Sequence, residues 1–159
     1  LHRELDMIEK KKKNIIIFGL VEPESGNTYD QGKFDRDNVA KLLDDMDAEA
    51  RIVSTYRVGN SSRRPLIVRF RSADERNIAL SQARGLRNQP KWKGVFLAED
   101  LTKNQYQMEK HQETMLKDEA VKRNSDIGHN QYFWKVIGGR GDRRVVKVFT
   151  GYRGAGRDL

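Results

Sequence analysis

Cysteine is absent from the 159 residues, which excludes disulfides, Cys-ligated zinc and thiol catalysis. No apolar run approaches the ~18 residues that a membrane span needs, and no signal-peptide pattern opens the chain. A first residue of Leu1 reads as the start of an excised fragment. Histidine is scarce, and His2, His111 and His129 have no partner at metal-ligand spacing. Gly-x-Ser-x-Gly, P-loop and His-Glu-x-x-His patterns are missing, so catalysis has no positive support. An intracellular protein without metal or cofactor is the expectation. Acidic residues are outnumbered, 23 against 31 Lys and Arg, for a net charge of +8. With a pI near 9.8, that balance points to nucleic acid first and an anionic membrane second. Hydrophobic residues make up 36% of the chain and mean hydropathy is −0.83, so part of it reads as tail or exposed arm.

What is present is clustered. Arg63 to Phe70 is a β-branched apolar run between turn-forming segments, and reads as a strand. Alternation puts Leu66, Val68 and Phe70 on one face and Pro65, Ile67 and Arg69 on the other. Asn14 to Val21 is the most hydrophobic strand candidate and reads as central in a sheet. Glu22 to Gly32 reads as a loop, and Asp35 to Asp47 as a helix. Phe34, Val39, Leu42, Leu43 and Met46 form its apolar face, with Asp35, Asp37, Asp44 and Asp45 as a solvated face. Arg51 to Val58 is a second strand, turned through Gly59 to Arg64 into the Arg63–Phe70 strand as a hairpin. Asp74 to Arg87 is a second helix, with Ile78, Leu80, Ala83 and Leu86 apolar, and Val95 to Ala98 is a fourth strand. The order β-α-β-β-α-β is that of the ferredoxin-like fold, a four-stranded antiparallel sheet with both helices behind it.

Ahead of this, Leu1, Leu5 and Ile8 recur at spacings of four and three, as in the end of a coiled-coil seam or an amphipathic arm, and Lys10 to Lys13 follow as a basic run. Behind it, Thr102 and Gln105 form a capping box for a helix running to about Lys122, with Tyr106, Met108, Met115, Leu116 and Val121 apolar. Tyr132 to Ile137 and Arg144 to Phe149 read as a hairpin across Gly138 to Asp142. The expected division is an arm at 1–13, a β-α-β-β-α-β domain at 14–100, a small α+β domain at 101–150 and a disordered tail at 151–159.

RNA-recognition domains share this element order and stack bases on aromatics of two central strands. Ile15 to Leu20 and Arg63 to Phe70 occupy the places of that family's two short signatures. Arg63, Val68 and Phe70 agree with the second, but Pro65 and Ile67 replace its stacking aromatics, and Ile16 replaces that of the first. Phe18 lies two residues on and faces the same way. Affinity is therefore expected mainly from charge, with weak sequence preference. Trp92, between Lys91 and Lys93, could stack a base or cap the core, whereas Phe133 and Trp134 read as core.

A more specific likeness follows from Lys12 to Glu22, Tyr56-Arg57-Val58-Gly59, Arg64 to Phe70, Ala83-Arg84-Gly85-Leu86 and Glu99 to Thr102. In order and spacing these blocks resemble the first open-reading-frame proteins of LINE-type non-LTR retrotransposons, over about Leu1 to Phe149. The resemblance implies a trimerising coiled coil upstream, a non-standard RNA-recognition domain and a small C-terminal domain. It implies low-specificity binding of single-stranded RNA, with single-stranded DNA as a further partner, and nucleic-acid chaperone activity in a cytoplasmic ribonucleoprotein, with the nucleus as a second compartment. The candidate contacts are Lys12, Lys13, Phe18, Arg57, Arg63, Arg64, Arg69, Arg84, Lys110 and Tyr132. Glu109 departs from a basic pair of that family, leaving Lys110 to carry the charge. Tyr152-Arg153-Gly154 with Arg157 resembles an Arg/Gly tail. Two other functions compete: a protein-interaction module docking a partner on Ile16 and Ile67, and a nuclease using the acidic helix.

Overall fold

The computed structural model describes residues 1–24 and 26–151; the Arg/Gly tail lies outside the described residues. The chain is a mixed α+β protein that divides into two units, Leu1–Thr102 and Lys103–Leu159.

In the first unit, helix α1 (His2–Lys11) leads into strand β1 (Asn14–Phe18) and helix α2 (Thr28–Asp45). Strands β2 (Ile52–Arg57) and β3 (Leu66–Phe70), helix α3 (Ala73–Gln82) and strand β4 (Phe96–Glu99) follow. The strands form one sheet in the order β2-β3-β1-β4, with every neighbouring pair antiparallel. Period-two alternation explains the layering. Ile15 and Ile17 of β1 and Leu66, Val68 and Phe70 of β3 are at most 1% exposed. They pack with Val39, Leu42, Leu43 and Met46 of the α2 region and Ala79 of α3. Both helices therefore cover the same face of the sheet, and each enclosed large side chain contributes about 1.5–3 kcal/mol.

Local chemistry accounts for the element boundaries. α2 begins at Thr28, seven residues before the expected start, because the Asn27 side chain caps it by accepting the Asp30 N–H at 2.9 Å. The expected loop through Gly32 is thus partly helix. α3 is capped by Ser72, which accepts the Glu75 N–H, and tightens after Gln82 into a 3-10 turn over Ala83–Leu86. β4 runs one residue later than expected. Gly19, just past β1, has φ +79, and a Cβ there would stand 2.1 Å from the Gly94 carbonyl oxygen. Only glycine lets that backbone pass.

Several expectations about faces are corrected. Phe34 is 42% exposed and contributes nothing to the core. Asp35, expected on the solvated face, is buried because it pairs with Arg57. In α3 the enclosed apolar residue is Ala79, with Arg76 also buried, while Ile78 is exposed. Ile67 is 4% exposed, so it floors the face opposite the helices and offers little surface to a partner. Trp92 caps the core: it is buried and its indole N–H donates to Asp45 Oδ2 at 2.7 Å.

In the second unit, helix α4 (Lys103–Ser125) packs against a hairpin of β5 (Tyr132–Ile137) and β6 (Arg144–Phe149). Asn124 acts as a stand-in strand residue, accepting the Trp134 N–H at 2.6 Å and donating to its carbonyl at 2.8 Å. Arg143 donates to Glu109 Oε2 at 2.9 Å, tying hairpin to helix. Little apolar surface is enclosed here: among the described residues of this unit only Ala120 is buried. Phe133, expected in a core, is 38% exposed. Trp134 is half-buried.

Candidate nucleic-acid interface

The sheet face turned away from α2 and α3 is built by cross-strand register. Tyr56 of β2 lies opposite Ile67 of β3, Ile67 opposite Ile16 of β1, and Ile16 opposite Ala98 of β4. These four residues make one row across the sheet. Next to it, Phe18 pairs with Phe96, their rings stacked at 5.0 Å between centroids and 19° between planes. Tyr56 and Phe96 are 51% and 59% exposed. The face thus carries three aromatic rings, where the sequence reading found Phe18 alone. Tyr56 and Phe96 belong to the edge strands, outside the two signature segments. The signal that could have found them is register: once β2 and β4 flank the central pair, alternation puts both rings on this side.

Cations stand at both ends of this face. At one end, Arg69 of β3 lies opposite Asn14. It shares a cavity of about 260 Å³ with Met7, Lys10, Lys11 and Tyr56. Lys13 is half-buried here and its carbonyl accepts the Phe70 N–H at 2.9 Å. Lys12 is paired with Glu9, and Lys11 with Asp100 at 3.1 Å. At the other end, the β2–β3 loop carries Arg63, exposed and in no ion pair among the described residues. Its neighbour Arg64 is half-buried, donating from Nε to Glu22 Oε1 at 2.8 Å. That guanidinium holds the Glu22 carboxyl below the usual carboxylate range. Strand β3 (Leu66–Phe70) itself spans about 13 Å at ~3.3 Å per residue.

Arg57 is a correction. Its side chain is 6% exposed and sits on the helix-covered side of β2, opposite Leu66. Nε and Nη2 grip the Asp35 carboxylate at 3.1 and 2.7 Å. Nη1 donates to the carbonyls of Leu20 (3.1 Å) and Arg64 (2.8 Å), and Nη2 to that of Val21 (3.0 Å). Its five N–H donors therefore meet five acceptors, which leaves none for a ligand. Arg57 fastens β2, the loop after β1 and α2 together.

The remaining candidates lie elsewhere. Arg84 is exposed in the 3-10 turn after α3. In the second unit, Lys110 is exposed on α4, its Nζ 5.4 Å from the centroid of the Tyr106 ring. Tyr132 is half-buried in an aromatic group, edge-on to His129, Trp134 and Phe149. Lys147 of β6 sits over the Tyr132 ring at 4.3 Å and Arg123 of α4 over Trp134 at 4.5 Å, so cations of the same unit occupy those ring faces.

Among the described residues no group of three or more His, Asp or Glu could hold a metal ion. Nor, among those residues, is any helix long and apolar enough to cross a membrane. No protein-family model matches the chain, and no curated protein matches it.

Proposed function

We propose that the chain binds single-stranded RNA, with single-stranded DNA as a further partner, across the open face of a ferredoxin-like RNA-recognition domain. The observation that carries this reading is the aromatic set of exposed Tyr56 and Phe96 with half-buried Phe18, flanked at both ends by cations. Every base has a π-face, so such rings hold a strand with little sequence preference, at ~1–3 kcal/mol per stacked base. Arg63, Arg69 and Lys13, in no ion pair among the described residues, are placed for its phosphates. Catalysis has no part in this reading, and no cofactor is called for. The protein is read as the RNA-binding part of a LINE-like element's ribonucleoprotein, acting in the cytoplasm as packaging component and nucleic-acid chaperone. Leu5 on α1 and Leu1 just before it, 56% and 100% exposed, support self-association through an adjoining coiled coil, with a homotrimer as the assembly.

Docking of a protein on the same sheet is the competing reading. Ile16 and Ile67 were its support, and Ile67 is too deeply set to anchor a partner. A salt titration against single-stranded RNA, single-stranded DNA and duplex separates the two. The expected result is preference for single strands, with log affinity falling by ~0.7 per phosphate neutralised for each unit of log salt. Absence of binding to all three at low salt overturns the proposal. Glu22→Gln should release Arg64 toward the ligand. The salt slope is then expected to steepen by ~0.7 with tighter binding at low salt, measured by fluorescence anisotropy. An unchanged slope would mean that Arg64 makes no phosphate contact.

A further inference from the structure

Beside β4 the first unit holds a second feature, which the open face does not include. A cavity of about 650 Å³ lies between the 3-10 turns after α3 and the β4 region, reaching Phe96 at its lip. Arg84, Arg87 and Lys93 line it; all three are exposed and none has an ion-pair partner among the described residues. Its apolar lining comes from Leu86, Val95 and Leu97. The walls are pinned from behind. Trp92 is tied to Asp45 at 2.7 Å, and the Gln89 side-chain amide donates to the carbonyls of Asp45 (2.8 Å) and Gly85 (3.1 Å). The Trp92 N–H, with Lys91, keeps the Asp45 carboxyl below its usual range, so this tether stays charged near neutral pH.

β4 is the edge strand of the sheet, and Phe96 stands on it half stacked against Phe18 and more than half exposed. A strand stacked on Phe96 and continuing past that edge meets the cavity next. An apolar lining with cations around it matches one chemical unit, a flat base joined to a phosphate. Resting on the function proposed above, we propose that this cavity takes the nucleotide adjacent to the one stacked on Phe96, its base against Val95 and Leu97 and its phosphate on Arg87 and Lys93. The sheet face then holds the path of the strand, and the cavity holds one inserted nucleotide.

Titration of the isotopically labelled full chain with adenosine monophosphate and with an eight-residue oligouridylate, followed by amide NMR, tests this. The amides of Lys93 and Gly94 and the Trp92 indole N–H are expected to shift with both probes. Arg87→Ala/Lys93→Ala should abolish the mononucleotide response and lower the oligonucleotide salt slope by ~1.4, two cations at ~0.7 each. Both side chains are exposed, and an unchanged spectrum elsewhere establishes that the variant is folded. Equal shifts with inorganic phosphate alone would overturn the nucleotide assignment. So would an apolar peptide that occupies the cavity undiminished in the double variant. If oligonucleotides bind but Lys93 and Gly94 stay unmoved, this inference alone fails. If no single strand binds the wild-type chain, the proposed function fails and the cavity assignment with it.

Discussion

Arg57→Ala is expected to destabilise the first unit by about 3–5 kcal/mol, the range for removing one partner of a buried ion pair. The change leaves the Asp35 carboxylate, 6% exposed, without its cation. It also strips a donor from the carbonyls of Leu20, Val21 and Arg64. At ~4–8 °C per kcal/mol for a unit of this size, the melting temperature should fall by on the order of 20 °C. Arg57→Lys is expected to recover little, since an ammonium has three donors and no planar fork. A double change, Arg57→Met/Asp35→Leu, removes both charges together and should recover much of the loss. Thermal unfolding of these variants without any nucleic acid is the measurement. A melting temperature within about 3 °C of wild type, combined with weakened RNA binding, would return Arg57 to the interface and sink the structural assignment.

Removing both edge-strand rings, Tyr56→Ala/Phe96→Ala, should weaken single-strand binding by about 30-fold or more. Two stacked bases at ~1–3 kcal/mol each set that scale, at 1.4 kcal/mol per tenfold. The loss should be the same at low and high salt, because no cation is removed and the slope depends on phosphates neutralised. Arg63→Ala should do the opposite, flattening the slope by ~0.7 while keeping most of the affinity at high salt. The pair of outcomes separates stacking from charge in one titration series. Both rings are more than half exposed, so the double variant should fold, with about 0.5–1.5 kcal/mol lost from the Phe18–Phe96 contact. Full-strength binding by it would leave charge alone as the source of affinity.

These two predictions fall on residues that the linear reading placed wrongly or passed over, and the reasons are physical. The signature segments direct attention to β1 and β3, where Ile16, Pro65 and Ile67 stand at the stacking positions. Aromatics on β2 and β4 reach the same face only through pairing between segments far apart in the chain, Tyr56 with Ile67 and Phe96 with Phe18. Arg57 looked like one more cation in a basic protein. Its burial depends on Asp35, 22 residues away, arriving from α2. Helical spacing put four acids on one face of α2, but could not tell which one would be turned inward.

The sequence by itself determined the order of elements, the apolar alternation of β3, the continuous apolar run of β1 and the hairpin behind α4. Each is written in local periodicity and turn chemistry, and each appears in the structure. Only the tertiary structure decided which arginine is consumed by the fold, which rings share a face and where a cavity opens beside the sheet edge. Those outcomes depend on strand register and helix docking, which bring together residues that no local pattern relates.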